Sequence, residues 1–270
     1  MIYMRINPVP AMLQRNVYSS KYNMKALLVF FALSLVLHIL FITVYSVSQI
    51  LFFGLLATWS PNISAIIVLA VILKEEHGVR RLFGAWVKWR IDLKWYLAAL
   101  SPFIIVFLLT SVYFLLGGGS PGPEGHYSLS ALVGLAITVI FTGATGEELG
   151  WRGFALPQLQ GRFSAIVSSL FIGLWWGIWH VPGWIIMNDI PSLVYIGSFI
   201  LMLIAQSVFL TWIVNETGGS VLMASLNHYA VNISTGLAVS VFGLITMDAL
   251  SVMMSLSYLG LAIVISLLYR

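Results

Sequence analysis

From residue 26 to residue 73 the chain carries no charged side chain, and apolar runs of similar character recur to its end. A hydrocarbon layer of about 30 Å needs roughly 20 apolar residues per crossing helix. A soluble domain covers itself with about 25% charged residues, whereas 8% are charged here and 60% are apolar, so lipid must solvate most of the surface. Residues 26–73 accommodate two helices broken near Trp59-Ser60-Pro61-Asn62, the second of them short. Further spans are predicted near 95–116, 128–149, 164–184, 193–214, 218–240 and 249–269. The expected fold is all-α, a polytopic transmembrane helix bundle of about eight spans. Residues 1–25 form a polar, basic segment, and 26–270 a single transmembrane domain. The Gly/Pro-rich connector Gly117–Tyr127 divides it, and no internal repeat is visible.

The charges lie between the apolar runs. With both termini cytoplasmic, all 13 Lys and Arg residues fall on one side, and the opposite loops hold only Glu124, Asp189 and Asp248. Such asymmetry is the mark of cytoplasmic loops. The net charge of +4 therefore reads as topology; no basic stripe interleaved with aromatics suggests nucleic acid. There is no cysteine, hence no disulfide, thiolate metal site or palmitoylation site. The first apolar run is too long for a signal peptide and is expected to remain as an anchor.

A charge at the centre of a membrane helix costs about 2.5–3.5 kcal/mol on insertion scales, so an intramembrane charge is a functional hypothesis by default. One segment concentrates such residues: Thr145-Gly146-Glu147-Glu148-Leu149-Gly150-Trp151-Arg152-Gly153. Glu148 and Arg152 are four apart in the favourable order for a helical ion pair, which leaves Glu147 over, about 100° round the helix. Both carboxylates could simply cap a cytoplasmic helix end. Yet apolar, helix-compatible residues continue to Pro157, and the next turn signal is Gln160-Gly161-Arg162. Gly143, Gly146, Gly150 and Gly153 offer a stripe for close helix approach.

His180 lies in the following span, and a lone His on an apolar helix is usually a hydrogen-bonded core residue. If the chain turns near residues 163–164, however, Glu147 and His180 each stand about 25 Å from that turn on antiparallel helices, level with one another. His228 and Asn232 share a helix face, about 15 Å from the start of their span. Three elements thus offer polar groups at similar depth.

Glu147-Glu148-x-x-x-Arg152 resembles the EExxxR motif of the type II CAAX prenyl endopeptidases and the bacterial Abi-type, or CPBP, intramembrane metalloproteases. The His180 region is similar to their FxxxH motif, with Trp176 at the Phe position, where a packing role is expected. His228-x-x-x-Asn232 matches their HxxxN motif. The resemblance spans roughly 128–240, which is the expected catalytic region, with the motifs in family order. It implies an intramembrane protease of a prokaryotic cell membrane, acting on a membrane-associated peptide or protein that is prenylated in the CAAX enzymes.

Two chemistries stay open. The resemblance implies that Glu147 and His180 activate a water, with Glu147 as general base, His228 and Asn232 as oxyanion donors, and Glu148 with Arg152 as orienting groups. Alternatively a Zn²⁺ is held by His180, His228 and a carboxylate, Glu147 in the simplest set. The family's metalloprotease label favours the metal, although the HExxH signature is absent. Serine chemistry is weaker: Ser164, Ser168, Ser169 and Ser225 lie near the motifs, none in a G-x-S-x-G setting. A proton-coupled transporter would need a second charge cluster or an inverted repeat in the N-terminal half, where His38 stands alone. A non-catalytic immunity or scaffold protein of the same fold is the other alternative.

Overall fold

The computed structural model describes residues 23–120, 122 and 129–268, so most of the basic segment 1–25, and Glu124, lie outside the described residues. Every regular element among them is helical. Helix α1 (Met24–Ser48) starts at Asn23, whose side chain accepts from the Ala26 N–H at 3.1 Å. It stops ten residues before the expected break. Gln49 turns into the left-handed region (φ 57°) and folds its amide onto the Ser46 carbonyl at 2.8 Å, while Ser48 Oγ accepts from Ile50 N–H at 3.3 Å. These local side-chain bonds give the backbone an alternative to continuing the helix.

The Trp59 break falls instead within the second crossing. Helix α2 (Leu51–Thr58) and α3 (Ser60–Ile67, continued as a π-helical turn Val68–Ile72) meet there at 60°. Helix α4 (Gly78–Trp86) lies in the charged loop, burying Gly78 and Leu82 and exposing Arg80 and Arg81.

Helix α5 (Leu93–Leu115) contains Pro102, which has no N–H for the Ala98 carbonyl. Ser101 Oγ takes that carbonyl at 2.8 Å, and Asn227 of a neighbouring helix takes the next, Ala99, at 3.1 Å. Helix α6 (Leu129–Val139) passes into a π-helical segment, Ile140–Ala144; a second, Leu149–Ala155, leads into α7 (Leu156–Gln160). Pro157 sits in the first turn of α7, where a missing N–H costs nothing. The chain reverses at residues 161–164, and Ser164 caps α8 (Ala165–Ile186). Helices α9 (Leu193–Glu216), α10 (Val221–Gly236, with a π-helical turn Leu237–Val241) and α11 (Met247–Leu268) complete the bundle.

Among the described residues five helices, α1, α5, α8, α9 and α11, are long and apolar enough to cross a membrane, and α2 with α3 makes a sixth if taken as one broken span. The other two expected spans correspond to α6 and α10, both interrupted by π-helical turns. The chain is a helical integral membrane protein. Its burial pattern is that of a protein in lipid: Leu115 and Leu193 are 86% and 88% exposed, whereas Glu148 and Arg152 are wholly buried. Helix α9 packs against α8 and α11, α10 against α5, and α3 against the segment that carries the acids.

Candidate active site

The paired acids stand in a local break between the two π-helical segments. A π turn shifts hydrogen bonding by one residue and frees backbone groups, which hydrocarbon cannot solvate. Here α3 and the bend before it supply the partners. Trp59 Nε1 donates to the Phe141 carbonyl at 2.5 Å, Asn62 Nδ2 donates to the Thr145 carbonyl at 2.6 Å, and Asn62 Oδ1 accepts from the Gly150 N–H at 2.9 Å. Asn62 is fully buried.

The glycine stripe makes this proximity possible. A Cβ on Gly146 would stand 2.9 Å from Trp59, one on Gly150 2.6 Å from the Pro61 backbone, and one on Gly153 2.7 Å from Leu82. Gly143 faces the site itself: a Cβ there would lie 2.8 Å from Asn232 Nδ2 and 3.0 Å from His228 Nε2. Packing, as expected, is what the stripe does, and at Gly143 the packed neighbours are candidate catalytic groups.

Glu148 and Glu147 have different surroundings. Arg152 Nη1 donates to Glu148 Oε1 at 3.1 Å and lies equally near Oε2; its Nη2 donates to Ser207 Oγ on α9 at 3.1 Å. His228 Nδ1 meets Glu148 Oε1 at 2.8 Å. An ionised carboxylate only accepts, so Nδ1 of that imidazole is the donor in this bond, and Nε2 lies on the Asn232 side. Glu148, Arg152 and His228 therefore form one compensated buried set, drawn from two helices and tied to a third.

Glu147 is 3% exposed and, among the described residues, makes no ion pair. Its Oε2 accepts two indole N–H groups, Trp176 at 2.6 Å and Trp151 at 3.4 Å. The side chain that reaches Glu147 from α8 is thus Trp176, one turn before His180. His180 Nδ1 bonds the Trp176 carbonyl at 2.8 Å, and its ring lies among Trp179, Trp184 and Phe199. It makes no hydrogen bond with either Glu among the described residues. The structure brings together Glu147, Glu148, Arg152, His228 and Asn232, with His180 a helical turn away.

Sequence reasoning missed four contributors: Trp151, Trp176, Asn62 and Ser207. Trp176 stood in a quoted motif, and its N–H was the available signal. Asn62 was visible only as part of a break. The expected metal ligands are His180, His228 and Glu147. No three His, Asp or Glu side chains converge in a metal-holding group among the described residues. The Nδ1 atoms of both histidines are engaged, which leaves Nε2 of each as the nitrogen open to a metal, and Glu147 Oε2 faces two indole N–H groups. His180 stands a helical turn from Trp176 and apart from both carboxylates, so His180, His228 and Glu147 do not meet as one three-ligand set.

Comparison with known proteins bears on the same stretch. The family model for type II CAAX prenyl endopeptidases, Rce1-like, matches residues 128–234. The chain is 27% identical over 190 residues to CAAX prenyl protease 2 of Methanococcus maripaludis, a match covering 64% of this chain and 69% of the relative. The matched segment contains every one of the six polar residues picked out by motif, in the family's order. Over that stretch the chain is similar to the Rce1-like type II CAAX prenyl endopeptidases and to an archaeal protein named CAAX prenyl protease 2.

Proposed function

We propose that the chain hydrolyses a peptide bond in a membrane-associated, prenylated peptide or protein, with Glu147 as the general base. The observation that carries this is the contrast between adjacent carboxylates. Glu148 is neutralised by Arg152 and engaged by His228, which suits an orienting role. Among the described residues Glu147 makes no ion pair, and both indole donors fall on one of its oxygens, leaving the other to accept a proton from water. The water attacks the scissile carbonyl carbon, and its proton passes to Glu147. His228, held at Nδ1 by Glu148, takes that proton from Glu147 at Nε2, offers it in a hydrogen bond to the oxyanion and releases it to the amide nitrogen as the C–N bond breaks. Asn232 Nδ2, beside that nitrogen across Gly143, is the second donor. Donors aimed at a developing oxyanion are worth about 10²–10³ in rate each.

The name of the archaeal relative supports a prenylated substrate, and the lipid-facing exterior supports substrate entry from the bilayer. Purified protein in lipid nanodiscs, given matched prenylated and unprenylated C-terminal peptides, tests the reading. Glu147→Gln is expected to lower cleavage at least about 10³-fold while expression and helicity stay as in the parent. Normal cleavage by that variant would sink the base assignment. Prolonged chelation in the same assay is expected to leave activity intact; loss that Zn²⁺ restores would return His180, His228 and Glu147 to the metal reading.

A further inference from the structure

Trp176 touches four members of the site, Glu147, Arg152, His228 and His180. Its indole N–H donates to Glu147 Oε2 at 2.6 Å. The Arg152 guanidinium carbon lies 4.4 Å from its ring centroid, and the His228 ring meets it edge-on at 5.1 Å. Its carbonyl holds His180 Nδ1 at 2.8 Å. The side chain is 1% exposed, and Gly177 beside it packs on Ile200. A ring gripped on its face and at its edge cannot swing, so its N–H vector is fixed.

A carboxylate rotates freely about its last torsion, which has broad, two-fold preferences. Hydrogen bonds and nearby charges orient a buried carboxylate, and Glu147 has no ion-pair partner among the described residues. The motif that this segment resembles carries Phe where Trp176 stands. Phe would keep a face for Arg152 and an edge for His228, but it has no N–H. We propose that Trp176 is a positioning residue for Glu147: its indole N–H pins one carboxylate oxygen and thereby aims the other at the attacking water. Trp151, with its N–H at 3.4 Å from the same oxygen, is the weaker half of this clamp. The proposal rests on Glu147 being the base.

The test compares kcat and KM separately for the parent, Trp176→Phe, Trp151→Phe and Glu147→Gln in nanodiscs with one peptide substrate. Trp176→Phe is expected to lower kcat about tenfold or more, as loss of a charge-assisted hydrogen bond would, with KM changed by less than about twofold. Trp151→Phe should cost less. Combined with Glu147→Gln, Trp176→Phe should add no further loss. Were Trp176 only packing, Phe would serve as well, so a kcat within about twofold of the parent with Glu147→Gln inactive overturns this proposal alone. Cleavage by Glu147→Gln overturns it together with the base assignment. Independently of activity, and even if Trp176→Phe fails to fold, ¹⁵N-tryptophan spectra of the otherwise native chain report the bond. The Trp176 Nε1–H resonance should move upfield in Glu147→Gln; an unmoved resonance overturns the proposal.

Discussion

Glu147 and Glu148 are consecutive, equally buried and chemically identical, yet one is compensated and the other is not. Arg152 decides which. Its position four residues on brings it to Glu148, and its second nitrogen reaches Ser207 on α9. Removing one partner of a buried ion pair costs about 3–5 kcal/mol, because the survivor is left charged without a counter-ion. Arg152→Met is therefore expected to destabilise the detergent-solubilised protein by an amount of that order, read as a lowered thermal midpoint. Glu148→Gln combined with it should recover much of the loss, while activity stays low because His228 has lost its charged anchor. A double variant as unstable as the single one would show that Arg152 acts through Trp176 and Ser207.

The element that matters most to the site is α3, which contributes no catalytic candidate. Its Asn62 satisfies the Thr145 carbonyl and shares the Gly150 N–H with the Glu147 carbonyl, and its Pro61 backbone fits against Gly150. A buried polar group stripped of its partner costs about 1–3 kcal/mol. Asn62→Leu, similar in size and unable to hydrogen-bond, should thus destabilise the protein by about 2–4 kcal/mol in chemical or thermal unfolding. It should also depress kcat, since Thr145 and Gly150 flank the carboxylates. An Asn62→Leu protein with parental stability would mean that the π segments hold their geometry unaided.

Across the whole molecule, the family-matched stretch 128–234 is not a self-sufficient site. Trp59 and Asn62 are 82 and 83 residues from the carbonyls they bond, and Phe30 of α1 packs on Trp151 with centroids 5.6 Å apart. A chain lacking residues 1–73 is expected to lose activity entirely. Co-expression of residues 1–73 as a separate chain should restore a measurable part, because interhelical hydrogen bonds and small-residue packing assemble membrane helices. Full activity of the truncated chain, assayed in membranes, would refute the dependence.

Much of this could be read from the chain alone, for reasons that are local. Charge-free length specifies crossing helices because lipid solvates nothing polar. Spacing paired Glu148 with Arg152. Glycines at intervals of three and four announced a groove, and the turn after Gln160 followed from its Gly. The ordered motifs named the candidate residues. What the tertiary structure alone decided is relational. It chose His228 as the second partner of Glu148, placed Trp176 rather than His180 beside Glu147, and turned an apparent helix break at Trp59–Asn62 into the brace of the acidic segment. Those outcomes hang on pairs of groups 29 to 83 residues apart, each meeting a backbone or carboxylate that would otherwise be unsolvated. Periodicity along one helix carries no record of which distant donor fills that need.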